Sequence, residues 1–181
     1  MWYGNRGCLH NDRGEIVRPF RKDLDRWLIC VLDFKGRRRP LLRPGHFTEL
    51  FFLDEATGFA AGHRPCVECR RNDALRFIKV CGCASARELD ARLALERKEP
   101  RRIELVEHLP DGAMFTTSEQ PTVTLLKWRG ALWRWSHFGY SPGPALPESA
   151  PVTVLTPALS CDAFSKGYTP HVHPSAGQML P

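Results

Sequence analysis

"LFFLDEATGFAAGHRPCVECRRND", residues 50–73, is the stretch from which most of the fold can be read. The aromatic run at its start closes a strand over 46–53. Asp54 is a good N-cap, Glu55 suits the positive first turn, and Gly62 suits a helix stop, so 54–63 reads as a short helix. Cys66-Val67-Glu68-Cys69 follows, the spacing at which one tight turn aims two thiolates at a single ion. A second helix starts behind it, capped at Asn72 or Asp73, with Leu75, Phe77 and Ile78 facing inward.

A redox C-x-x-C motif opens a helix after a strand, whereas here a helix precedes the pair. Metal binding is therefore the expected use of these thiols. Zinc takes four donors in a closed structural site, and two are missing. Cys8-Leu9-His10 offers the best pair. Residues two apart share one face of an extended chain, and the glycine and asparagine around them permit the turns a ligand loop needs. The expected site is thus Cys8, His10, Cys66 and Cys69 around Zn²⁺, stapling the N-terminus to the 60s loop. Cys30 lies within an apolar run and reads as a small buried hydrophobe; it is next in line should Cys8 or His10 fail. Cys81 and Cys83, either side of Gly82, could form a second weak pair but read as inert thiols, and His63 as a loop hydrogen bonder or phosphate contact.

Outward from the motif, residues 26–34 form a dense apolar strand candidate and 85–98 an amphipathic helix capped at Ser85. Beyond 102 the pattern becomes β: 103–117, 121–136 and 151–157 are separated by turn signals at Pro110-Asp111-Gly112, at Arg129-Gly130 and in the proline-rich 141–151. The fold class expected is α+β, a small zinc-stapled α/β N-terminal half (1–102) followed by a mostly antiparallel β C-terminal half (103–181). The 181 residues are enough to bury a real core, and no run of 18 uncharged apolar residues proposes a membrane span. The polar start lacks the apolar segment of a secretory signal, and the expected location is the cytoplasm, where thiols stay reduced.

Residues 50–73 resemble the zinc-binding domain of Ada-type DNA-alkylation-repair proteins. Phe51, Phe52, Ala56, Ala60, Ala61, Gly62, Arg64, Pro65, Cys66, Cys69 and Arg70 carry the resemblance. It implies a small α/β zinc fold and a basic surface that meets the DNA backbone. That family completes its site with a C-x-x-x-C pair, one cysteine of which accepts a methyl group from a DNA phosphotriester. This chain has no such pair, and the methyltransferase and helix-turn-helix parts of full Ada proteins are not recognisable in it.

Charge agrees with an anionic partner. The chain carries +6 overall, and its basic excess is confined to residues 1–102. Arg64, Arg70, Arg71 and the Arg37-Arg38-Arg39 turn are the expected phosphate contacts. DNA is favoured over RNA, as a binding or repair-associated role in which zinc is structural and the chain is not itself an enzyme. The rival reading is a hydrolase or nuclease using His137, His171 and His173 in the β half. Trp128, Trp133, Trp135 and Tyr140 suit either base stacking or a sheet core.

Overall fold

A computed structural model describes residues 1–21, 23–36 and 40–177. The fold is α+β, with four helices and two sheets among those residues. A mixed sheet in the order β3-β1-β2-β4 is built from β1 (Trp2–Asn5), β2 (Leu28–Cys30), β3 (Leu50–Phe52) and β4 (Arg64–Pro65). β1 is antiparallel to both β2 and β3, whereas β2 and β4 run parallel. The second sheet is antiparallel throughout, in the order β5-β10-β6-β7-β8-β9. Its strands are β5 (Ile103–Leu105), β6 (Met114–Thr116), β7 (Leu125–Trp128), β8 (Ala131–Ser136), β9 (Gly139–Pro142) and β10 (Pro151–Val154).

Local chemistry explains the helices. Asp54 caps α1 (Glu55–Ala60) by accepting from the Thr57 amide at 2.9 Å, and Gly62 leaves the helix at φ +78°, where a Cβ would be strained. Ser85 caps α3 (Ala86–Glu96) through the Glu88 amide, while the Glu88 carboxylate returns to the Ala84 amide at 2.8 Å. α2 (Arg71–Val80) begins earlier than its expected Asn72 or Asp73 cap, with Arg70 at the cap position and no side-chain bond there. α1 lies on one face of the first sheet. A Cβ at Gly58 would stand 2.7 Å from Ile29 Cδ1, so glycine sets how closely helix and sheet approach.

Elements outside the expected set include β1, four residues of mixed character, β4 within the expected ligand loop, β9 beyond the expected 121–136 segment, and α4 (Ala158–Ser165), which follows β10 within a segment that reads as strand and tail. α4 matters to domain organisation. Leu159, Ala163, Phe164 and Tyr168 share one buried cluster with Ile29, Phe59, Phe77, Leu89 and Leu93. Residues from both sides of 102 therefore build one core. The Leu126, Trp128, Trp133 and Tyr140 cluster likewise reaches back to Ala56.

Buried carboxylates fasten the tail to α1. Asp54 accepts from the Tyr140 hydroxyl at 2.8 Å and the His173 amide at 2.9 Å. Glu55 accepts from the Tyr168 hydroxyl at 2.9 Å and the His171 amide at 2.8 Å. Both acids are almost fully buried, so these bonds replace the water they lost. No helix among the described residues is long and apolar enough to cross a membrane.

Candidate metal centre

Parallel pairing of β2 with β4 builds the site. The register sets Leu28 beside Arg64 and Ile29 beside Pro65, and the Cys66 amide donates to the Ile29 carbonyl at 3.0 Å. Cys30 ends one strand and Cys66 follows the other, so the next step along each brings their side chains together. The chain then turns through 67–69, closed by the Arg70 amide on the Cys66 carbonyl at 2.9 Å, and this turn returns Cys69 to the same point. The sulfurs of Cys30, Cys66 and Cys69 all lie within 4.8 Å of one another.

Cys30 thus supplies the third thiol, and neither Cys8 nor His10 joins the group. Cys8 donates weakly to the His10 carbonyl. The His10 ring is used on both sides, with Nδ1 2.6 Å from the Thr48 hydroxyl and Nε2 3.3 Å from the Arg43 carbonyl. Thr48 also accepts from the Leu9 amide at 2.8 Å, so this threonine is what ties down the 8–10 loop. The feature that relates Cys8 to His10, two residues on one face, serves that staple.

The three thiols perturb one another unequally. Hydrogen bonds from Cys30 and Cys69, aided by the Glu68 and Cys69 amides, hold the Cys66 thiol far below the ordinary thiol range. Cys30 is pushed strongly up by its bonds to Cys66 and Cys69 and by burial. In Cys69 the bond to Cys30 pulls down, but Cys66 and burial outweigh it and the thiol is raised. One thiolate held by two S–H donors is the arrangement these directions describe. A metal ion taking all three sulfurs must displace the two remaining protons. Affinity should accordingly weaken as pH falls, by about two log units per pH unit while Cys30 and Cys69 remain protonated. Competition titrations at several pH values measure that slope; a flat profile would mean that the thiols are not the ligands.

The motif arginines are scaffold. Arg64 is 2% exposed and makes a bidentate pair with Asp90 on α3, at 2.9 and 2.7 Å. Arg70, 6% exposed, meets Glu55 at 2.7 Å and Asp73 at 2.9 Å and lies over the Trp2 ring at 4.2 Å. Burial opposes its charge, but Glu55 more than offsets this and holds the pKa above the ordinary value. Neither guanidinium is free for a phosphate, and each instead braces one end of the cysteine loop. Arg71 remains exposed at the start of α2. Arg37, Arg38 and Arg39 lie outside the described residues.

The histidines are likewise accounted for. His63 is fully buried between Phe52 and Trp27, its Nδ1 3.0 Å from the Ala61 carbonyl, and burial pushes its pKa down to about 3, so it is no phosphate contact. His171 packs edge-on against Trp2, and His173 Nδ1 lies 2.8 Å from the Ser175 hydroxyl. His137 packs against Trp135. No metal-binding group forms around these three among the described residues. Trp128, Trp133 and Tyr140 are buried in the second sheet's core and present no stacking platform. Cys81 and Cys161 are buried with raised thiol pKa values, of about 12 and about 11, caused first by desolvation, as inert thiols require.

No family model, no curated protein and no solved structure matches the chain. What the fold and site define is a class: an α+β protein with a three-cysteine candidate metal centre where a strand end meets a turn. The Ada resemblance rests on residues 50–73 alone.

Proposed function

We propose that this chain is a zinc-thiolate protein with a role on nucleic acid, DNA in preference to RNA. The observation that carries the metal half is the convergence of Cys30, Cys66 and Cys69 to within 4.8 Å, two from one turn and one from a neighbouring strand. Three thiolates suit a borderline-soft divalent ion, and hard ions that demand oxygen are poorly served. Zinc there would tie β2 to the turn before α2, in place of the staple between the N-terminus and the 60s loop expected from the sequence.

The nucleic-acid half is supported by charge and shape. A groove of about 1090 Å³ runs past Cys66 and is lined by Arg26, Arg71 and Arg87, with Asp25 and Glu68 sharing its wall. Arg64 and Asp90 also border it but neutralise one another. Of the described arginines lining that groove, 26, 71 and 87 remain for phosphates, and of these three the sequence singled out only 71.

Duplex DNA binding measured against salt tests this reading. Wild type should bind with log K falling linearly in log salt, and the R26E/R71E/R87E variant should lose that binding with its zinc retained. Each lost phosphate contact removes about 0.9 from the slope. A variant that binds as wild type does would overturn the nucleic-acid reading and leave the metal reading standing.

A further inference from the structure

The cluster does not close. Every Cys, His, Asp and Glu of the chain lies among the described residues, and none of them joins Cys30, Cys66 and Cys69 as a fourth donor. Three protein ligands with a free position is the donor count of zinc centres that accept an outside molecule; structural sites carry four. The three cysteines also line a cavity of about 200 Å³, on the sheet face opposite α1. Register explains its walls. Tyr3 stands opposite Cys30 on one side and Phe51 on the other, so all three project to the same face. Phe47 stacks on Tyr3 at 6.0 Å, and Leu32 adds apolar surface at the rim.

The chemistry of the cavity selects the ligand. Three thiolates around a divalent ion leave a net charge of about −1, and Glu49 and Glu68 add carboxylates to the wall. No described lysine, arginine or histidine lines the space. A carboxylate or other anion entering it would be repelled, whereas a neutral donor with an apolar body would meet aromatic walls. We propose that the cysteine cluster is an open metal centre whose fourth position takes a neutral nitrogen- or sulfur-donor small molecule through the Tyr3–Phe47–Phe51 cavity. This rests on the zinc-thiolate reading and goes beyond it, since a purely structural site would have no exchangeable ligand.

Cobalt-substituted full-length protein tests the proposal with two separate signals. The thiolate-to-cobalt charge-transfer bands report whether the cysteines hold the ion at all. The visible ligand-field bands report the fourth donor. Imidazole and acetate are the probes. Imidazole should shift the ligand-field bands saturably while the charge-transfer intensity stays, and acetate should bind about tenfold more weakly or worse. Glu49→Gln, which removes one of the two wall carboxylates without touching a ligand, should narrow that preference several-fold. Missing charge-transfer bands would overturn the metal reading itself. Charge-transfer bands with ligand-field bands indifferent to imidazole, or a preference for acetate, would overturn the open position and leave the metal reading intact.

Discussion

Cys30→Ser should lower zinc affinity by about two orders of magnitude or more, whereas Cys8→Ser and His10→Ala should leave it within a few-fold of wild type. Zinc sites with four protein donors bind with roughly 10–16 kcal/mol, so one thiolate of a smaller set is worth several kcal/mol. Serine keeps the size but gives up the sulfur, the soft donor on which the ion relies. The contrast decides between two complete accounts of the site. Cys30 lies within 4.8 Å of both other thiols, while the His10 ring is committed to Thr48 and Arg43. Chelator competition on the three variants gives the comparison directly. Loss of zinc in Cys8→Ser or His10→Ala, with Cys30→Ser unaffected, would restore the Cys8–His10 pair.

Arg70→Ala should destabilise the fold by about 3–5 kcal/mol, because it removes the only cation paired with a nearly fully buried Glu55 among the described residues. The Tyr168 hydroxyl and the His171 amide would still reach that carboxylate, but its charge would stay buried without a counter-ion. The Trp2 ring would also lose the guanidinium that covers it. Asp73→Ala is the control. That carboxylate is 53% exposed on the far side of Arg70, and its loss should cost no more than about 0.5 kcal/mol. Denaturant titrations of the two variants separate the roles. A small effect of Arg70→Ala combined with lost DNA binding would return this residue to the phosphate surface.

How far the sequence reveals this molecule depends on how local each signal is. α1, with Asp54 and Gly62 at its ends, is legible because capping is written in adjacent residues. The β7–β8 hairpin is legible too, since Arg129 and Gly130 both take positive φ at its turn and the arms alternate around it. Pairing between distant segments is not. β1 is only four residues of mixed character, and it becomes a central strand because β2 and β3 close on it. The site fails to show for the same reason. Cys66 and Cys69 announce themselves by spacing, but Cys30 reaches them through a two-residue parallel bridge whose register no local pattern encodes. Its place in the middle of the apolar run 26–34 points instead to a small buried hydrophobe. Arg64 and Arg70 mislead differently: arginine in a basic loop looks like a phosphate ligand until Asp90 and Glu55 arrive from elsewhere in the fold.

X-ray absorption at the zinc edge of the purified protein addresses the central claim most directly. The account predicts one zinc per chain with three sulfur neighbours at about 2.3 Å and one lighter nitrogen or oxygen donor. In Cys30→Ser the sulfur count should fall to two or the zinc should be lost. A wild-type ion with no sulfur shell, or three sulfurs that persist unchanged without Cys30, would contradict it.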